Sequence, residues 1–337
     1  MSLQLKITTS PHIKTPLGTQ KIMQHVFFAL LPVAAWSVYV FGLSTLFLLV
    51  VTTLTCALTE NVLCRWSKKP STLSDYSALI TGLLLGLTLP PGFPLWMAAL
   101  GAAMAIILGK AIFGGLGHNP FNPALVGRAF LQAAFPVAIT TWSPPLLAER
   151  FSTFFSSTWA VPFMKPSFDA MSSATPLGAW KFDGLTTDTV DLFFGTTGGS
   201  AGETSALLIL IAGIYLASRK MLDWKIPVSI LLTVLVFSSI LYFIDSNAYP
   251  SPGFMLFSGG CMIGAVFMAT DMVSSPVTPT GVWLYGILIG SLIVIIRIWG
   301  GLPEGVMYSI LLGNACAPIF SRLTQPKVFG AVKGGAK

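Results

Sequence analysis

The sequence predicts an all-α integral membrane protein, with about ten transmembrane helices arranged as two inverted five-helix repeats containing broken helices. Three observations carry that expectation. Charged residues make up only 9% of the 337 positions, against 54% hydrophobic; a soluble domain carries roughly 25% charged residues. Several apolar runs approach the roughly 20 residues needed to cross a hydrocarbon core of about 30 Å. The third observation is a motif series that occurs twice.

In order, the apolar runs place spans at 24–42, 44–64, 77–91, 95–113, 122–140, 204–221, 226–244, 254–273, 281–299 and 304–322. The first is preceded by about twenty polar residues and reads as a retained span rather than a cleaved signal. The third is short and ends in "LPPGFP", which marks it as a partial or broken helix. The first series runs from "GLLLGLTLPPGFPLW" to "GGLGHNPFNPALVGRAF". The second runs from "GGCMIGAVFMATDMVSSPVTP" to "GGLPEGVMYSILLGNACAPIFSR". With five spans in each half, the second must be inverted relative to the first, an arrangement that builds sites near the bilayer midplane. Small residues at i, i+4 spacing (Gly82/Gly86, Gly101/Ala105/Gly109, Gly260/Gly264, Gly286/Gly290) predict close helix packing. The chain then divides into a cytoplasmic segment (1–23), a first repeat (24–140), an extracytoplasmic loop (141–203), a second repeat (204–322) and a cytoplasmic tail (323–337).

The net charge of +7 reads as topology rather than nucleic-acid affinity, because the basic residues sit between the apolar runs and no nucleic-acid motif accompanies them. With both termini cytoplasmic, the inside receives Lys6, Lys14, Lys21, Arg65, Lys68, Lys69, Lys110, Arg219, Lys220, Lys225, Arg322, Lys327, Lys333 and Lys337. The outside receives only Arg150, Lys165 and Lys181, all in the long loop. The four cysteines form no C-x-x-C pair and read as small core residues. With no metal-spaced His/Cys/Glu cluster, nucleophile elbow or Walker-type loop, neither a metal site nor stand-alone side-chain catalysis is expected.

Four places remain for chemistry. In "DAMSSATPLG", Pro176 biases Thr175 toward extended backbone, which would hold its hydroxyl out on an uncrowded turn. "GTTGGSAGETS" opens the sixth span with glycines, Ser200, Glu203 and Thr204, and reads either as an anion-binding helix start or as an ordinary entry with Glu203 on the positive dipole end. "GHNPFNPALVGRAF" sets His118, Asn119, Asn122 and Arg128 near lipid, where polar groups should face protein or a cavity. Asn122 reads as an N-cap ahead of Pro123. Glu60 and Asp271 lie near the cytoplasmic boundary, where Glu60 can pair with Arg65 and Asp271 can be solvated.

"DAMSSAT" resembles a flavinylation motif, and together with "GHNPFNPALVGRAF", "GSAGETSALLIL" and "VFMATDMVSSPVTPTG" it resembles the D subunits of Rnf-type electron transport complexes. The B subunit of sodium-pumping NADH:quinone reductases is the next closest resemblance. It covers nearly the whole chain. It implies a membrane flavoprotein subunit carrying electrons through FMN, linked to Thr175 by a phosphoester, with Asp169, Ser172, Ser173 and Ala174 as recognition context. Ser173 stands where such motifs often carry Gly. The resemblance also implies a flavin transferase acting outside a bacterial inner membrane, other membrane and peripheral subunits including an outer-face flavin subunit, and coupling of ferredoxin/NAD redox to Na⁺ or H⁺ movement. Ser200, Glu203 and Thr204 then become candidates for the FMN phosphate, and Asn119, Asn122 and Arg128 for a second flavin, riboflavin. Two rival readings stay open at this point: a quinone-reducing subunit, and a urea-channel-like conduit with no redox role.

Overall fold

A computed structural model describes residues 18–162, 174–203 and 205–326. Among them every regular element is helical and there is no strand. Five helices among the described residues are long and apolar enough to cross a membrane: Thr19–Phe41, Leu43–Trp66, Lys225–Ile244, Pro279–Trp299 and Val306–Leu323. Shorter apolar helices lie at Ser77–Thr88, Leu95–Ala111 and Ala206–Ser218. Each of the ten predicted segments coincides with described helix, five as long single helices and the others as short or interrupted ones. Helix Ser77–Thr88 stops just before Pro90 and Pro91, because proline disfavours helical backbone at the residue before it. The fifth segment is Pro123–Ala134 followed, after Phe135, by Pro136–Thr140. The eighth breaks into Pro252–Phe257 and Cys261–Met268. That break falls not at a proline but at Ser258-Gly259-Gly260, where Gly259 takes φ +62°, a conformation natural to glycine.

Close packing follows the small residues. Leu43–Trp66 packs on Ser77–Thr88 and on Leu95–Ile106; Lys225–Ile244 packs on Pro279–Trp299, which in turn packs on Val306–Leu323. A Cβ at Gly82 would lie 2.5 Å from the Thr53 Cα, and one at Gly290 would lie 2.7 Å from the Thr233 Cβ. A side chain at either place would push the helices apart. Gly286→Val is expected to destabilise by about 1–3 kcal/mol, since its Cβ would overlap the Ser229 side chain. Gly301→Ala, which meets nothing within 4 Å among the described residues, should leave the melting temperature of the solubilised protein unchanged.

The helices carry sites to two opposite ends. Ser77, Lys110, Asn122, Met221 and Asp271 line a cavity at one end. Thr140, Thr175, Gly301 and Tyr308 line a cavity at the other. The beginning of the long loop folds back onto the Gly42 turn, where the Arg150 carbonyl accepts the Leu43 N–H at 3.0 Å and Arg150 Nε donates to the Tyr39 carbonyl at 2.8 Å.

Candidate functional site: the cavity beside Thr175

Thr175 has extended backbone (φ −68°, ψ 153°), as Pro176 dictates. Its hydroxyl is not held out on a free turn, however. Thr175 is only 4% exposed, and its Oγ1 accepts the Gly178 N–H at 3.0 Å. It is the N-cap of a helical segment that runs from Pro176 to Asp183. The reason is local: the first turn of a helix has unsatisfied N–H groups, and a threonine at that position can take one. The segment is anchored from below. Leu177 packs with Leu192 and Phe254. Lys181 Nζ donates to the carbonyls of Arg297 (2.8 Å), Leu302 (3.1 Å) and Gly300, so one ammonium neutralises the orphaned carbonyls at the end of the Pro279–Trp299 helix.

Thr175 forms part of the wall of a cavity of about 660 Å³, inside the range of small-molecule sites. Trp142, Phe182 and Tyr308 supply aromatic wall, Arg128 and Glu304 supply charge, and the exposed Ala174 stands at the rim. Arg128 Nη2 donates to Glu304 Oε2 at 2.6 Å. Glu304 and Glu203 act on each other's charge, which brings the residues opening the sixth segment to the foot of the same cavity. Burial pushes the Glu203 carboxyl well above the usual carboxylate range, and the charge on Glu304 pushes it further. Burial acts upward on Glu304 as well, but the Arg128 guanidinium beside it prevails and holds it down. The Ser200 N–H, a donor expected to serve a phosphate, is met by the Glu203 carboxylate itself at 3.3 Å. Ser205 caps the helix that follows by accepting the Leu208 N–H.

The three residues grouped for a second flavin are divided by the fold. Arg128 faces the Thr175 cavity, while Asn119 and Asn122 line the cavity at the opposite end. The helix explains the separation: six residues at 1.5 Å rise put Arg128 roughly 9 Å from Asn122 along the axis. Asn122 caps its helix as expected, accepting the Ala124 N–H at 3.0 Å, and also donates to the Met268 carbonyl at 3.1 Å. Asn119 donates to Asp271 at 3.1 Å. Asp271 is thus not simply solvated; it also accepts from the Ser274 hydroxyl and the Val273 N–H. Glu60 does not pair with Arg65. It pairs with Lys110 at 2.7 Å, and Lys110 is a buried residue rather than a loop charge. Asp169, Ser172, Ser173 and Thr204 lie outside the described residues. The sequence reading missed Glu304, Tyr308 and Arg297. Arg297, a charge inside an apolar run, carried the same signal that singled out Arg128.

The NQR2, RnfD, RnfE family model matches residues 6–330. The chain belongs to that family. It is 41% identical over 335 residues to the D subunit of the Na⁺-translocating ferredoxin:NAD⁺ oxidoreductase complex of Acetobacterium woodii, covering 98% of this chain and 97% of that one. It is 39% identical to the D subunit of the proton-translocating ferredoxin:NAD⁺ oxidoreductase complex of Clostridium ljungdahlii, covering 96% of each. It is also 38% identical to the D subunit of the ion-translocating oxidoreductase complex of Yersinia enterocolitica, covering 98% of this chain and 99% of that one. These family members are named as subunits of multi-subunit, ion-translocating oxidoreductases, and the helical, apolar architecture of this chain agrees with a place in a membrane.

Proposed function

We propose that this chain is the D subunit of an Rnf-type complex, a multi-pass flavoprotein that carries electrons through FMN joined by a phosphoester to Thr175. The observation that carries the reading is the placement of Thr175 at the wall of a 660 Å³ cavity lined by aromatic side chains and by the Arg128–Glu304 ion pair. The group fits these residues. Trp142, Phe182 and Tyr308 offer apolar contact to a flat ring, and Arg128 offers positive charge to an electron-rich one. Bound FMN would supply the one- and two-electron chemistry that protein side chains lack. The chain's part is to tether it, to hold the tether through the capped and Lys181-anchored helix, and to shield it from water.

In this reading the protein is a two-repeat inner-membrane subunit with cytoplasmic termini and Thr175 extracytoplasmic. Support comes from the clustering of charge at helix ends: Arg65 and Arg322 lie in the last turns of their helices, and Lys68, Lys69, Arg219 and Lys220 lie just beyond a helix end, the Lys/Arg placement expected of cytoplasmic connections. The neighbouring subunits supply the ferredoxin and NAD sites and an outer-face flavin, a flavin transferase loads the FMN, and the complex links this redox chemistry to Na⁺ or H⁺ translocation. Asn119 and Asn122 line a cavity of only about 90 Å³, below the range of small-molecule sites, and their amides are engaged within the protein, so they do not fit a riboflavin.

The test is to express the chain with a flavin transferase, denature it, and examine the band under ultraviolet light and the Thr175 peptide by mass spectrometry. One added FMN on that peptide is expected. An unmodified peptide from the native complex overturns the reading in favour of a cofactor-free conduit.

A further inference from the structure

Below the cavity, two buried carboxyl groups approach one glycine turn. Glu203 and Glu304 act on each other's charge, and the Oε1 atoms of both lie against the same Gly259–Gly260 turn. Ionised carboxylates are acceptors only, so two of them make a hydrogen bond to each other only when one keeps its proton. The Oε1 atom of each is buried and has no hydrogen-bond partner among the described residues. Both of these atoms approach the Gly259–Gly260 turn: a Cβ at Gly260 would lie 3.7 Å from Glu203 Oε1, and one at Gly259 would lie 3.7 Å from Glu304 Oε1 and 3.1 Å from Arg297 Nη2. A glycine pair thus leaves the room in which the carboxyl groups sit.

We propose that Glu203 and Glu304 hold one proton between them and titrate as a single unit, forming a proton-binding site at the foot of the Thr175 cavity. The surrounding charges fix which oxygen carries it. Arg128 pairs with Glu304 Oε2 at 2.6 Å and keeps the negative charge there, so the proton resides on Glu203. Arg297 is completely buried and spends its Nη1 and Nη2 donors on the Met255 and Ser258 carbonyls. It adds positive charge on the Gly259 side without capturing a carboxylate. Lys181 is engaged by backbone carbonyls. Asp183 and Tyr308 line the cavity above, and Cys261 opens the helix beyond the Gly-Gly turn. Like charges in contact drive one of two macroscopic pKa values strongly upward, and the values belong to the pair rather than to either residue. A positive charge lost or gained in the cavity alters the affinity of that unit for its proton, because the site is shielded from water. The inference does not depend on a flavin at Thr175.

Infrared spectroscopy of the purified native complex tests it. At neutral pH the wild type should show a D₂O-sensitive carbonyl stretch of a protonated carboxylic acid. ¹³C-glutamate labelling should move that band, which separates it from Asp271 and Asp183. Glu203→Gln should abolish it. Glu304→Gln should displace it, because the acceptor of the hydrogen bond has changed from a carboxylate to an amide. Absence of a labelled glutamic-acid band in the wild type overturns the proposal without any variant. A band that survives Glu203→Gln, or that stays in place in Glu304→Gln, overturns the shared proton.

Discussion

Thr175→Ala is expected to yield a folded, membrane-inserted protein that carries no covalent flavin. The two consequences of the substitution differ widely in size. Removing Oγ1 deletes the cap on the Gly178 N–H, which costs about 1 kcal/mol and lowers the melting temperature by a few degrees at most. The helix keeps its other anchors, Leu177 in its apolar cluster and Lys181 on three carbonyls. Covalent attachment, by contrast, needs an oxygen nucleophile at this position and has no substitute in alanine. Thr175→Ser retains both the oxygen and the cap, and should retain flavin. The measurement is in-gel fluorescence of wild type, Thr175→Ser and Thr175→Ala, expressed together with the transferase, alongside thermal unfolding of each. Fluorescence in Thr175→Ala equal to wild type would place the linkage on another residue.

The sequence disclosed what depends on neighbours along the chain. Apolar runs gave the positions of the helices, the Pro90-Pro91 pair gave the end of Ser77–Thr88, and Asn122 before Pro123 gave a cap that the structure contains. Pro176 gave the extended backbone of Thr175. The direction in which that hydroxyl points was not legible, because it depends on whether the chain beyond Pro176 coils into a helix that needs a cap. Nor were the charge pairs. Arg128 and Glu304 lie 176 residues apart, and Lys110 and Glu60 lie 50 apart. Lys110 looked like one more basic residue at the end of a span. In the fold, the helix passes into a π-helical turn, Ile107–Ala111, that carries Lys110 inward. A single wide turn of this kind leaves little trace in composition, though such turns are frequent at functional sites. The same limit explains the grouping of Arg128 with Asn119 and Asn122: proximity in sequence suggested one site, and a helix delivers the residues to two.

The buried Lys110–Glu60 pair gives the second large effect. Lys110→Met should destabilise the protein by about 3–5 kcal/mol, the range for removing one partner of a buried ion pair. Methionine matches the lysine stem, so little packing is lost; the cost arises from what remains. Lys110 Nζ lies 2.7 and 2.9 Å from the two Glu60 oxygens and 2.6 Å from the Ser77 hydroxyl. Glu60 without it retains only the Thr72 hydroxyl as donor among the described residues, in a site where each side chain is 5% exposed. Adding Glu60→Gln should recover most of the loss, because an amide is far less costly than an uncompensated carboxylate in low dielectric. The double variant is therefore expected to be more stable than Lys110→Met alone, and the two effects should be strongly non-additive. Thermal unfolding of wild type, both single variants and the double variant in one detergent measures the cycle. Additive effects, or a neutral Lys110→Met, would mean that water reaches Glu60 and that the two groups do not depend on each other.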